Sequence, residues 1–197
     1  MCFMVGNIQA AIDSLLIDFP PLRITGNFHQ NSNPDARYNC IGWALGLNDL
    51  FVASDNVPWH WWPSGISRDF SENSLLECFK CFGFLECDDA TIEPSFDKVA
   101  LYSLNGQWTH AARVIDVDRY HSKFGYNVDG FHKSGNVLST KYGTVYKFMK
   151  RPLNNRGISL RIRNTLPAPQ DYVHAANGKI YAFYDGKLYP LPNNRIV

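Results

Sequence analysis

Hydrophobic residues in the first half of the chain recur at helical spacing. Apolar side chains every three to four positions over 7–18 predict an amphipathic helix that ends before Pro20. A second helix is predicted to begin at or near Cys40, because the apolar residues that follow it share one face. Ser71 can cap a third helix, which runs to about Phe82.

The second half follows a different pattern. Residues 98–103, 109–115, 120–125 and 144–149 are short runs rich in β-branched and aromatic residues, bounded by Gly, Asn or Asp. Helices followed by a meander of strands indicate an α+β fold, in which the helices pack on an antiparallel sheet.

The last part of the chain has the pattern of a small β appendage. Asp185 and Gly186 separate two β-rich runs, at 180–184 and 187–189, which is a strong signal for a tight hairpin. We therefore predict a main domain over residues 1–152 and a C-terminal hairpin appendage over 153–197.

Charge is distributed unevenly along a chain whose net charge is only +1. Residues 1–129 hold 16 acidic and 8 basic residues, whereas 130–170 hold 8 basic residues and no acidic one. We interpret the two segments as packing together and neutralising each other. A basic face for nucleic acid is the alternative, but no nucleic-acid motif accompanies it, so no such partner is expected.

Targeting and cysteine patterns favour a reducing compartment. The N-terminus has no basic stretch before its apolar residues, and no run approaches the roughly 18 apolar residues of a membrane span. Five cysteines at irregular spacing do not suggest a disulfide framework. Cys78 and Cys81 lack a second ligand pair, so neither a metal site nor another cofactor is expected. We predict a protein without a membrane partner that is cytoplasmic, or delivered by a secretion system that reads no signal peptide.

Cys40 is the main candidate for chemistry. The first turn of a helix offers unpaired N–H groups and a positive dipole end, which can lower a thiol pKa and hold an oxyanion. His110, at the start of a predicted strand among small residues, is the best candidate for the base that a thiol nucleophile needs. His60, in a loop, is a weaker candidate. From these residues alone, a buried structural cysteine remains the alternative.

A set of motifs resembles a known superfamily. The segment YNCIGWALG around Cys40 is similar to the cysteine-helix motif of papain-like cysteine hydrolases, particularly the branch of cell-wall peptidases and amidases. Together with WWP at 61–63, THAAR at 109–113 and SKFG at 122–125, it resembles more closely an uncharacterised bacterial domain family. The resemblance covers roughly residues 18–152 and implies a papain-like fold.

The resemblance also implies roles for particular residues. Cys40 would be the nucleophile and His110 the base, and a third polar residue on the next strand would orient the histidine, which places Ser122 in that role. A serine hydroxyl supports an imidazolium less well than His, Asn or Asp does, so this position departs from the pattern. The possible substitutes for Ser122 are Asp116, Asp118, Asp129 and His132.

Substrate contacts are predicted from the same motifs. Trp61 and Trp62 would line a groove, with packing over the cysteine helix as the alternative. Lys123 or Arg113 would hold an anionic group of the substrate, with a surface ion pair as the alternative. The expected function is a cysteine peptidase, deamidase or amidase that acts on a protein or peptide.

Two broader questions remain open from the sequence. A catalytically inactive papain-like binding domain is the alternative function. The sequence is equally compatible with a bacterial toxin or effector and with a housekeeping enzyme. It does not determine the oligomeric state.

Overall fold

The computed structural model of the protein describes residues 8–133, 135–153, 171–174, 180–184 and 186–190. Its helices are α1 (Ile8–Asp18), α2 (Cys40–Leu45), α3 (Glu72–Cys81) and α4 (Ser139–Tyr142). Its strands are β1 (Phe28–Gln30), β2 (Leu85–Cys87), β3 (Phe96–Leu104), β4 (Gln107–Asp116), β5 (Arg119–Lys123), β6 (Asp129–Lys133), β7 (Thr144–Pro152), β8 (Asp171–His174), β9 (Ile180–Tyr184) and β10 (Lys187–Pro190). The predicted α+β class is confirmed. None of the helices in these ranges is long and apolar enough to cross a membrane.

A seven-stranded antiparallel sheet forms the centre of the fold, in the order β1-β6-β5-β4-β3-β7-β2. The four runs predicted as strands are β3, β4, β5 and β7. The sequence did not indicate β1, β2 or β6, each of which is only three to five residues long. Because β1 and β2 are the edges and β6 lies next to an edge, these strands depend on pairing with their neighbours rather than on alternating hydrophobic residues.

Both faces of the sheet are buried, and the alternation of side chains along β3 shows how. Val99 and Leu101 pack on one face with α2 and α3, whereas Ala100 and Tyr102 pack on the other face with α1. Successive strand residues point to opposite faces, so one strand contributes to two hydrophobic clusters. The helices therefore lie on both sides of the sheet, with α2 held against the first face.

Helix α2 is fixed at both ends by contacts within the core. Its N-cap Asn39 accepts a hydrogen bond from the Gly42 N–H at 3.0 Å. At the other end, the Arg113 side chain from β4 donates to the carbonyl of Trp43 at 2.9 Å and lies 3.9 Å from the centre of its ring. Arg113 thus joins the helix to the sheet, a structural role that the sequence did not indicate.

Ion pairs link the acidic and basic segments of the chain. Four basic residues between 141 and 151 contact carboxylates from the first 97 residues: Lys141–Asp18, Lys147–Glu86, Lys150–Glu93 and Arg151–Asp97. These contacts support the interpretation that the two segments neutralise each other.

The three C-terminal strands form a separate antiparallel sheet in the order β10-β9-β8. Strands β9 and β10 form the expected hairpin, with Lys187 opposite Tyr184 and Gly186 at φ 72°. Asp185 and the linker at 154–170 lie outside the described residues. The ring of Tyr189 in this sheet contacts that of Trp59, with centroids 5.1 Å apart.

Candidate active site

Cys40 is the first residue of α2 and is 1% exposed. Burial raises the pKa of its thiol to about 11. The backbone N–H groups of Ala111 and Ile41 act in the opposite direction but do not offset burial. The expectation that the helix start lowers this pKa is therefore wrong for the conformation described, because desolvation of the thiolate outweighs the dipole and hydrogen bonds.

His110 lies on β4 and is also fully buried. Its ring stacks on that of Tyr142, with centroids 4.0 Å apart and planes 4° apart, and meets Tyr102 edge-on. Burial lowers the pKa of His110 well below its usual value. Within the described residues, its Nδ1 atom has no hydrogen-bond partner.

Ser122 lies on the next strand, β5, at the position that the resemblance assigns to the orienting residue. Its hydroxyl oxygen is 2.8 Å from His110 Nε2. The same oxygen is 2.7 Å from Nε2 of His132 on β6, and His132 Nδ1 is 2.7 Å from the carbonyl oxygen of Lys133. Ser122 is therefore backed by a second histidine, one of the substitutes named from the sequence.

Cys40 and His110 are not joined by a hydrogen bond in the described structure, because His110 Nε2 contacts Ser122 and Nδ1 has no partner. The residue after His110, Ala111, directs its N–H at the thiol. Burial and, more weakly, electrostatic interactions with Cys40 and Asp18 raise the pKa of Tyr142, the residue stacked on His110. His110 packs on Tyr102, Phe124 and Tyr142, which belong to the hydrophobic cluster on the α1 face of the sheet. Cys40 belongs to the cluster on the α2 face. The two side chains therefore pack with different faces of the sheet in the structure described.

Lys123, the last residue of β5, is completely buried. Its ammonium donates to the carbonyl oxygens of Gly125 at 2.6 Å and Asn127 at 2.5 Å, which closes the turn between β5 and β6. Burial lowers the pKa of Lys123 to about 7, although Asp35 and Asp129 favour the charged form. These contacts give Lys123 a structural role, and its role toward a substrate stays a prediction.

The two tryptophans predicted to line a groove pack against the hydrophobic cluster around α2 and α3. Trp62 is buried and stacks parallel to Trp108, with centroids 5.9 Å apart. Trp61 is partly exposed and meets Phe82 edge-on at 5.5 Å. Both therefore stabilise the core, and Trp61 is the better placed to touch a substrate.

The other candidates for the histidine and its orienting residue lie elsewhere. His60 has its own carboxylate partner, with Nδ1 2.6 Å from Asp55 Oδ1, and its buried Nε2 lacks a hydrogen-bond partner in the described structure. Asp129 instead pairs with His121 at 2.7 Å. Asp116 and Asp118 are exposed. The sequence did not reveal the partner of His60, because Asp55 precedes it in an irregular loop.

The remaining described cysteines do not form a cluster with one another. Cys78 is buried, Cys81 is exposed, Cys87 is half-buried, and none is in a disulfide. No group of three or more His, Cys, Asp or Glu side chains that could hold a metal occurs in the described residues.

Comparison with known proteins places the chain in a family by its sequence. No curated protein and no solved structure matches it. One family model matches residues 29–150, more than half of the chain, and the matched range contains Cys40, His110, Ser122 and His132. The chain therefore belongs to the family described as Domain of unknown function (DUF7689).

Proposed function

We propose that the protein is a papain-like cysteine hydrolase that acts on an amide bond, with Cys40 as nucleophile and His110 as base. The observation behind this proposal is the state of the two nitrogens of His110. Nε2 is held by Ser122, whereas the buried Nδ1 has no partner in the described structure. Nearly all buried polar atoms in proteins are paired, so an unpaired buried ring nitrogen is unusual and supports a proton acceptor at this position.

The proposed reaction assigns a step to each residue. His110 Nδ1 takes the thiol proton, and the Cys40 thiolate attacks the substrate carbonyl. The N–H groups at the start of α2 stabilise the oxyanion. The imidazolium then returns the proton to the leaving amine, and water hydrolyses the thioester. Because Cys40 is buried and makes no contact with His110 Nδ1 in the described structure, turnover requires an opening that exposes Sγ and brings it within reach of that nitrogen.

A second candidate is a binding or interaction domain without catalytic activity. Complete burial of both Cys40 and His110 favours it, since a hydrolase must admit a substrate to its nucleophile. In that case, the raised thiol pKa belongs to a structural cysteine.

Alkylation by iodoacetamide at pH 7.5, followed by mass spectrometry of each cysteine, distinguishes the two candidates. Cys78 is a matched control, because it is equally buried and burial also raises its pKa. If His110 activates Cys40, Cys40 should react at least about tenfold faster than Cys78, and His110→Ala should remove the difference. Equal slow labelling of both cysteines would leave the binding domain as the remaining candidate.

His60→Ala is the control for the identity of the base. Among the described residues, His60 also has an unpartnered ring nitrogen, and its removal should leave Cys40 labelling unchanged. On an amide substrate found by screening, Cys40→Ala and His110→Ala should each abolish turnover. The double variant should be no worse, because members of one catalytic unit are not additive.

A further inference from the structure

Three side chains and one carbonyl form a continuous hydrogen-bonded row behind His110. It runs from the Lys133 carbonyl oxygen to His132, then to Ser122 and to His110, with separations of 2.7, 2.7 and 2.8 Å. The three side chains are at most 3% exposed and come from three neighbouring strands, β6, β5 and β4. Water is therefore not needed to complete the row.

The carbonyl of Lys133, at the end of the row away from His110, determines which group donates in each hydrogen bond. A carbonyl oxygen only accepts, so His132 Nδ1 donates to Lys133. Burial lowers the pKa of His132 to about 4, so its ring is neutral near pH 7 and Nε2 has no proton. Nε2 must then accept from the single hydroxyl hydrogen of Ser122. The serine oxygen in turn accepts from His110 Nε2–H.

From this polarity we infer that His132 is a positioning residue, which acts through Ser122 to hold His110 in the tautomer with its proton on Nε2 and a lone pair on Nδ1. In the proposed function, on which its catalytic meaning rests, this is the tautomer that can accept the Cys40 proton. The opposite tautomer would place a hydrogen on Nδ1 and remove the base.

The hydrogen-bonded row from Lys133 to His110, called the relay below, also accounts for the serine at the orienting position. A hydroxyl can donate or accept, so Ser122 alone would be compatible with either tautomer of His110. His132 removes this ambiguity, because its neutral Nε2 takes the only hydroxyl hydrogen. The pair Ser122 and His132 can thereby replace a single His, Asn or Asp.

Long-range ¹H–¹⁵N spectra of ¹⁵N-histidine-labelled protein at pH 7.5 test the inference directly, since they show which ring nitrogen bears the proton. The unmodified protein should show His110 protonated on Nε2 and His132 on Nδ1. Protonation of His110 on Nδ1 would overturn the inference, and this measurement needs neither a variant nor a substrate.

Two substitutions at His132 separate positioning from packing. His132→Phe keeps an aromatic ring near Tyr120 and Phe124 but removes the acceptor, so a population of His110 with its proton on Nδ1 should appear. His132→Gln can donate to Lys133 and accept from Ser122 and should restore the single Nε2–H form. An unchanged His110 spectrum in the folded Phe variant, or failure of Gln to restore it, would contradict the relay.

Cys40 alkylation links the relay to the proposed function. It should slow by about tenfold in His132→Phe, the scale of one lost hydrogen bond, and recover in His132→Gln. If the tautomers are as expected but Cys40 in the unmodified protein reacts no faster than Cys78, the relay is supported and the hydrolase proposal fails.

Discussion

At the scale of single residues, burial controls the ionisation of the candidate site. His110 and His132 are both enclosed, and desolvation lowers the pKa of each. A histidine that is neutral in the folded protein takes up a proton when the chain unfolds below pH 6.5, the ordinary pKa. Above about pH 6.5, these histidines therefore do not reduce the free energy of unfolding. As the pH falls from about 6.5 toward the folded pKa, which for His132 is about 4, proton uptake by the unfolded chain lowers the free energy of unfolding.

We expect the free energy of unfolding in urea to fall between pH 7.5 and pH 5, with His132 contributing about 2 kcal/mol of the loss. His132→Gln should reduce the loss by that amount. His29→Gln, which replaces an exposed histidine, should leave it unchanged. An identical pH dependence in all three proteins would show that His132 does not stay neutral in the folded state.

At the scale of secondary structure, the position of Cys40 depends on Asn39. The Asn39 side chain caps α2 and also exchanges two hydrogen bonds with the backbone of Val52, at 2.7 and 3.2 Å. Both residues are completely buried. The loop before Trp61 and the start of the cysteine helix are therefore fixed by one amide.

Asn39→Ala should lower the free energy of unfolding by about 3 kcal/mol, because it removes a cap and leaves the buried N–H and C=O of Val52 unpaired. Ser71→Ala, at the exposed N-cap of α3, is the matched control and should cost about 1 kcal/mol. Urea unfolding of the two variants provides the comparison. Equal costs would mean that the contacts with Val52 contribute nothing.

At the scale of the whole molecule, the main sheet is complete at Pro152 and contains every strand of the candidate site. Strands β8 to β10 form a sheet of their own, and one contact between this sheet and the rest of the described residues joins Tyr189 to Trp59. The domain boundary at 152 stays a prediction. Whether 1–152 folds independently remains a prediction.

A chain that ends at Leu153 should therefore fold, with unchanged histidine tautomers and the same ratio of Cys40 to Cys78 alkylation. Loss of the contact between Trp59 and Tyr189 should lower the free energy of unfolding by about 1 kcal/mol. This corresponds to a fall of about 2–4 °C in the melting temperature. Tyr189→Ala in the full chain should give a similar fall. Loss of cooperative unfolding in the shortened chain would show that the C-terminal sheet belongs to the same folding unit.

Local sequence patterns were sufficient for several parts of the fold. Apolar spacing and the Ser71 cap predicted α1 and α3, and β-rich runs between turn residues predicted β3, β4, β5 and β7. These features depend on neighbouring residues, so they can be read from a short stretch of sequence. The same patterns placed Cys40 at a helix start and His110 and Ser122 on successive strands.

The state of the site depended on contacts between distant segments. The pKa of Cys40 is raised because both the sheet and the helices enclose it, whereas the local signal of a helix start favoured a lower value. His132 reaches Ser122 because β6 pairs with β5 on one side and with β1, about a hundred residues earlier, on the other. The sequence supplied the chemical groups, but burial and strand pairing decided their ionisation and the direction of their hydrogen bonds.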